Sequence, residues 1–375
     1  MASEGKISIN EIEESMDLCL GCRACETACP TNVQYGKILE SFKEVKAEQE
    51  TSPLASRLAM QKGLPNKTIL GAMTASLRIY QGMGVDKLAR KMKLLKVLPE
   101  QLQAFEEITP KIEKPDKKLR ASVLSPAGEK KASIAFFTGC IMDVFFAKIN
   151  DLSIKLLQYA GCEVTVIKEQ TCCGALQNHD GDTETTRKLA KKNIAAFEKG
   201  NFDYIVNSIG GCGAMLVEYD VLLKNDSEWS ERAKRFTDKN KDVSVILSKL
   251  NLQFKKELNR RVTYQPSCHL TNVQKLTTDP IHLLQSIPKI IYVPLPAGDM
   301  CCGSAGTYNI FHYDESMEIL DEKMENVKKV VPEMIVTSNP GCHLQMCLGV
   351  KREGLASKVR VAHIIEVLAE ACGIE

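Results

Sequence analysis

The 375-residue chain lacks most of the features that assign a function at a glance. It has almost no net charge: 49 basic residues face 47 acidic ones, leaving +2. That balance argues against a nucleic-acid-binding face and demands no acidic substrate. No apolar run approaches the roughly 20 residues a membrane-spanning helix needs. Residues 1–17 are acidic and polar and carry no apolar secretory stretch, so the expected location is the cytoplasm. No strand leads into a G-x-G-x-x-G turn, and Gly211-Cys212-Gly213 lacks the third glycine. There is no Walker loop and no G-x-S-x-G elbow. With neither a flavin nor a nicotinamide site, organic redox chemistry falls to another chain, and this one reads as a subunit.

What the sequence has in excess is cysteine, fifteen in all. The cytosol keeps thiols reduced, so clustered cysteines there point to metal binding or redox chemistry rather than to disulfides. Twelve of them fall into patterns. Cys19, Cys22, Cys25 and Cys29, followed by Pro30, have the C-x2-C-x2-C-x3-C-P spacing of bacterial ferredoxins. Two-residue gaps let the backbone wrap one corner of an iron–sulfur cube. A zinc finger needs pairs set further apart. In two-cluster ferredoxins the fourth cysteine serves the other cluster. With a single motif here, either Cys29 folds back onto the same cluster, or its partner motif lies elsewhere.

The other eight form a duplication. Cys140, Cys172-Cys173-Gly174 and Cys212 are answered by Cys268, Cys301-Cys302-Gly303 and Cys342, at offsets of 128, 129 and 130. SIGGC (208–212) answers SNPGC (338–342) at the same spacing, which marks a repeated module. Hydrophobic patterning predicts strands at 133–137, 163–167 and 204–207 and helices at 142–159 and 183–199. The second copy repeats the strands at 261–264, 290–293 and 334–337. Every repeat cysteine then sits just past the carboxyl end of a strand, the edge where open parallel sheets collect ligands. Four thiols per copy are expected to converge. Adjacent cysteines do not easily serve one ion but can bridge different irons, and the following glycine permits close backbone approach. An iron–sulfur cluster, a closed zinc site in a module and a reactive dithiol all stay open on this chemistry.

The expected architecture is α/β: two tandem CCG modules with small parallel sheets flanked by helices, at 132–256 and 257–375. A partial ferredoxin-like segment (1–50) and a helical, cysteine-free segment with a polar linker (51–131) precede them. Cys162 opens a strand and Cys372 lies on the last helix, so both read as core residues. Cys347 reads the same way, although it is near enough to Cys342 to be a spare ligand. His269 and His343 follow repeat cysteines and read as ligands, hydrogen-bond donors or plain core residues. Residues 85–98 predict one amphipathic helix with a basic face, lying on a membrane surface or packed on the core.

At these residues the chain resembles the iron–sulfur subunit family of bacterial glycolate oxidase. The stretches CLGCRACETACPTNVQYG (19–36), FTGCIMDV (137–144), QTCCGA (170–175), CHL (268–270) and CCGSAGTYN (301–309) carry the likeness. The repeat alone also resembles modules of heterodisulfide reductase and of lactate-utilisation proteins. The resemblance implies 4Fe–4S clusters, flavin-binding partner subunits that oxidise a 2-hydroxy acid, and onward transfer of electrons toward a quinone at the inner face of a membrane. The alternative is a thiol/disulfide redox enzyme like heterodisulfide reductase, or a zinc-bound scaffold. The family usually carries a second ferredoxin motif upstream, so a truncated N-terminus is expected here. The non-cubane cluster of heterodisulfide reductase takes a fifth thiolate, at positions occupied here by Met215 and Gln345.

Overall fold

A computed structural model describes residues 8–49, 57–120 and 123–375. The expected boundary at residue 50/51 and the start of the acidic N-terminal stretch lie outside them. The chain builds two four-stranded, wholly parallel sheets. The first comprises β1 (Ala132–Phe136), β2 (Cys162–Val166), β3 (Tyr204–Asn207) and β4 (Asn240–Asp242), in the order β2-β1-β3-β4. The second comprises β5 (Arg260–Tyr264), β6 (Ile290–Tyr292), β7 (Met334–Thr337) and β8 (Arg360–His363), in the order β6-β5-β7-β8. The central strands are short apolar runs such as SIAF and MIVT, covered on both faces by helices, as parallel sheets require.

In each sheet the connections leave the first strand toward one side and then the other. The first strand is therefore the switch point at which such sheets open a ligand crevice. Cys140, Cys172 and Cys212 follow β1, β2 and β3, and Cys268, Cys301 and Cys342 follow β5, β6 and β7. The predicted strands are present to within a residue. The fourth strand of each sheet is an addition, made of short polar stretches (NKD, RVAH) that only a parallel neighbour draws into a ladder.

The two sheets share one hydrophobic core, in which Ile134, Leu156 and Ile246 meet Val262, Leu284, Ile364 and Leu368. The duplicated turns after β3 and β7 touch: Gly210 N–H donates to Ser338 O at 3.0 Å and Gly211 N–H to Asn339 Oδ1 at 3.0 Å. Cys162 and Cys372 are buried in this core, as expected.

Two helices depart from expectation. The 142–159 helix is broken at Phe146 (φ −132°), whose ring meets His343 of the second module edge-on at 5.3 Å. The 85–98 helix stops at Lys91, because Lys93 turns left-handed (φ 58°) and a single 3-10 turn follows. Val85, Leu88 and Met92 of its apolar face are exposed while Ala89 is buried, so this face is only partly covered. No helix among the described residues is long and apolar enough to cross a membrane.

Candidate metal centres

In the first module β1 is followed two residues on by Thr138, whose N–H donates to Gln170 Oε1 at 2.8 Å. Gly139 then turns at φ +69°, and a Cβ there would stand 2.6 Å from Ile209 Cδ1. Glycine is needed at this bend, which delivers Cys140 to the sheet edge. Gly174 (φ +90°) plays the same part after Cys172 and Cys173. Asn193 clamps that loop: its Oδ1 accepts from Thr171 N at 2.8 Å, and its Nδ2 donates to Cys172 O at 3.0 Å and to Tyr219 Oη at 3.1 Å. The Tyr219 hydroxyl in turn donates to Cys173 O at 2.7 Å.

The thiols so placed form a row. Cys140 Sγ lies 3.4 Å from Cys172 Sγ, and Cys173 Sγ lies 3.2 Å from Cys212 Sγ, with Cys172 and Cys173 hydrogen-bonded between them. Such crowding does not let every thiol ionise. Hydrogen bonds from Cys140 and Cys173, with help from Gly174 N–H, hold Cys172 well below the ordinary thiol range. Cys140 is pushed well above it by its bond to Cys172 and by burial.

The second module repeats the row as Cys268, Cys301, Cys302 and Cys342. Its loop is tied by Ser316 Oγ, which donates to Gly303 O at 2.9 Å as Thr186 does to Gly174 O. Gln345 donates to Ser316 Oγ and accepts from Asn309 Nδ2 at 3.0 Å, and Met215 is buried among apolar side chains. Neither position offers a fifth thiolate. Cys347 is partly buried, its thiol raised to about 12 by burial and by Glu366, and it stands outside the row. His269 Nδ1 lies 3.4 Å from Cys268 Sγ. His343 Nδ1 has no hydrogen-bond partner among the described residues.

The donor set fits iron–sulfur chemistry. Four soft sulfur ligands per module, two of them buried in the first and three in the second, gather at the sheet edge. Successive thiols of a set lie within hydrogen-bonding reach of one another, and among the described residues no group of three or more ligands is arranged to hold a single ion.

The N-terminal motif docks in the seam between the modules. Asn272 Nδ2 donates to Cys22 O at 2.9 Å and its Oδ1 accepts from Thr27 Oγ1 at 3.2 Å. Burial chiefly raises the Cys22 thiol, and Cys268, Cys19 and Cys25 raise it further, so these four sulfurs are neighbours. Cys29 is not among them. Its Sγ pairs with Thr31 Oγ1 at 3.2 Å and accepts from Val33 N at 3.4 Å. Burial raises the Tyr308 hydroxyl, and Glu315, Cys19 and Cys301 raise it further.

Sequence reasoning missed the hub that holds this segment. Arg23, left-handed at φ 59°, bonds Glu26 Oε2 at 3.1 Å and pairs with Glu218 of the first module. Burial opposes its charge, and Glu218 and Glu26 more than restore it. Gly36 packs against it, and a Cβ there would fall 2.7 Å from Arg23 Nε and displace that side chain. His179 and His269, one from each module, meet edge-on at 5.3 Å, and burial holds them neutral at about 4 and about 3. No spacing rule links these residues. On the outer side of the first module, a cavity of about 220 Å³ reaches Cys140 and Cys172 and is bounded by Lys67, Leu70, Thr74 and Arg78.

Comparison with known proteins agrees with this arrangement. Residues 134–217 and 262–347 match the cysteine-rich (CCG) domain, 51–109 the linker region of the glycolate oxidase iron–sulfur subunit, and 12–34 a 4Fe–4S binding domain. A probable glycolate oxidase iron-sulfur subunit of Bacillus subtilis is 44% identical over 99% of this chain and 86% of its own length. The glycolate oxidase iron-sulfur subunit of Escherichia coli is 27% identical over 98% and 84%. Lactate utilization protein A of Oceanobacillus iheyensis is 34% identical over 63% of this chain and 96% of its own. Iron–sulfur, not zinc, is the metal these families name. Ferredoxin motif, linker and paired CCG modules recur in the same order along nearly the whole length, and the chain belongs to the glycolate oxidase iron–sulfur subunit family.

Proposed function

We propose that this chain is the electron-transfer subunit of a flavin-dependent oxidase of glycolate, lactate or a similar 2-hydroxy acid. It takes electrons from a flavoprotein subunit and passes them toward a quinone. The observation that carries this reading is the four-thiol row, built twice at the switch-point edges of two sheets. Cys140, Cys172, Cys173 and Cys212 would hold one cluster, and Cys268, Cys301, Cys302 and Cys342 the second. Cys19, Cys22 and Cys25 would hold three corners of a 4Fe–4S cluster, with Cys29 directed to a different one. Bound clusters supply one-electron carriers. The chain's own part is to bury their ligands, exclude water and set the spacing between them.

Cys22 beside Cys268 supports a route between the N-terminal centre and the second module. The cavity at Cys140 and Cys172, with Lys67 and Arg78 on its wall, suits a small acceptor such as a quinone headgroup. Exposed Ile79, Met83, Leu88, Met92 and Val97, interleaved with Lys87, Lys91, Lys93 and Lys96, support contact with an anionic membrane surface. Sedimentation with anionic vesicles, reversed by salt, tests that contact.

One observation favours a second reading. The Cys172 thiol is held low beside Cys140, as in a reactive dithiol. Iron, sulfide and zinc analysis of anaerobically purified protein, with low-temperature EPR, separates the two. Iron with acid-labile sulfide and no stoichiometric zinc is expected. Colourless, iron-free protein that reduces disulfides unaided would sink the electron-transfer reading.

A further inference from the structure

The two thiol rows match residue for residue until the helices behind them are compared. Thr186 and Ser316 mark corresponding points, since each donates to the carbonyl of its CCG glycine. Two turns further along each helix, the first module has Asn193 and the second has Lys323. Asn193 is the neutral clamp on the Cys172 carbonyl, completed by Tyr219. In the second module Tyr219 is answered by Gly349, where a Cβ would meet Met324 Sδ at 2.7 Å. Lys323 is fully buried. Its Nζ donates to Ala297 O at 2.7 Å, and among the described residues it forms no ion pair with a carboxylate.

A buried ammonium without a counter-ion is costly, and such charges are found paired or not at all. The charged or ionisable groups facing Lys323 are Asp299 and the thiols of Cys301, Cys302 and Cys342. Burial lowers the lysine on balance, and Cys302, Cys301, Asp299 and Cys342 offset part of that. The first module has no cation at the corresponding position.

We propose that Lys323 is the fixed counter-charge of the metal group held by the second module and makes it the higher-potential of the two repeat sites. Adding one electron to that group adds one negative charge beside the ammonium. At the corresponding position in the first module the same charge meets the neutral amide of Asn193, with Lys67 and Arg78 on the wall of the cavity at Cys140 and Cys172. Electrons shared by the two sites therefore settle on the second module. The proposal rests on the iron–sulfur reading above.

The test is a mediated redox titration of the full-length, metal-loaded chain, read by EPR. Signals are assigned to the second module by their loss in Cys301→Ser. Lys323→Met is expected to shift the one-electron equilibrium of the second module at least tenfold toward the oxidised form, 59 mV for one electron. The signal of the first module stays in place, and Lys323→Arg restores the wild-type value. Asn193→Lys makes the reciprocal change, raising the first module. Potentials unmoved in Lys323→Met overturn the proposal. If that variant fails to load, an unmoved first module in Asn193→Lys overturns it. Metal-free chain gives an arm independent of iron: Lys323→Met should slow alkylation of Cys301 and Cys302 at least threefold relative to Cys172 and Cys173. An iron-free wild type would refute the electron-transfer reading, and equal alkylation rates would refute the role of Lys323.

Discussion

Gly174 and Gly303 do the same work and are not equally replaceable. Both hold the turn after paired cysteines at a positive φ, +90° and +89°. A side chain there costs about 1–2 kcal/mol from the backbone alone. At Gly174 an added Cβ meets the Thr186 Cγ2 methyl at 2.9 Å, which a small side-chain shift relieves. At Gly303 it meets the Ser316 carbonyl oxygen at 2.7 Å, part of a helix that does not yield. Gly174→Ala is therefore expected to cost about 2 kcal/mol, and Gly303→Ala roughly twice that with loss of iron from the second module. Denaturant midpoints and iron content per chain check the order. Equal costs would show that the turn conformation alone, not the packing, decides.

At the scale of elements, the last helix, Ile364–Cys372, begins on an unusual cap. His363 Nδ1 accepts from Ile365 N at 3.3 Å, and Glu366 reaches back to His363 N–H at 2.7 Å. Since Nδ1 accepts, Nε2 carries the hydrogen and donates to Ser208 O of the other module at 3.1 Å. One ring thus caps a helix and ties two sheets together. Burial lowers its pKa from 6.5 to about 3, so the folded state holds it neutral. A group depressed in this way binds its proton more readily when unfolded, and stability falls as pH drops from about 6.5 toward about 3. His363→Gln keeps one bond at a time and is expected to lose about 1–2 kcal/mol at pH 7.5 while flattening the acid side of the profile. Unfolding midpoints at pH 7.5 and 5.5 for both proteins measure this. An unchanged pH slope in the variant would assign the acid sensitivity to His179, His269 and His343 instead.

At the scale of the whole molecule, what the sequence made legible was whatever repeats or keeps period. Cysteine spacing exposed the duplication, and apolar runs exposed β1, β3, β5 and β7, because a buried parallel strand is written almost entirely in its own residues. β4 and β8 were not legible, since NKD and RVAH become strands only through the ladder offered by β3 and β7. The seam was hidden for the same reason. Arg23, Glu218, His179, His269 and Asn272 are scattered along the chain, and only the meeting of two modules puts them together.

That seam sets the last expectation. The N-terminal centre is held beside Cys268 by few bonds: Arg23, braced by Glu26, to Glu218, Asn272 to the Cys22 carbonyl and the Thr27 hydroxyl, and Lys275 to Thr27. Arg23→Ala removes the first set and leaves Glu26 and Glu218 buried or half-buried without their cation, a loss of about 3 kcal/mol for a broken buried pair. The two sheets share a separate core that this change does not touch. The expected result is local: global unfolding is little altered, while proteolysis and hydrogen exchange rise in residues 19–49 and electron transfer between the N-terminal centre and the second module slows. Glu218→Gln should behave likewise but more mildly, because Glu26 still holds the guanidinium. If Arg23→Ala instead lowers the global unfolding midpoint and leaves residues 19–49 protected, the segment is an integral part of the fold rather than a docked one, and its proximity to Cys268 does not depend on this ion pair.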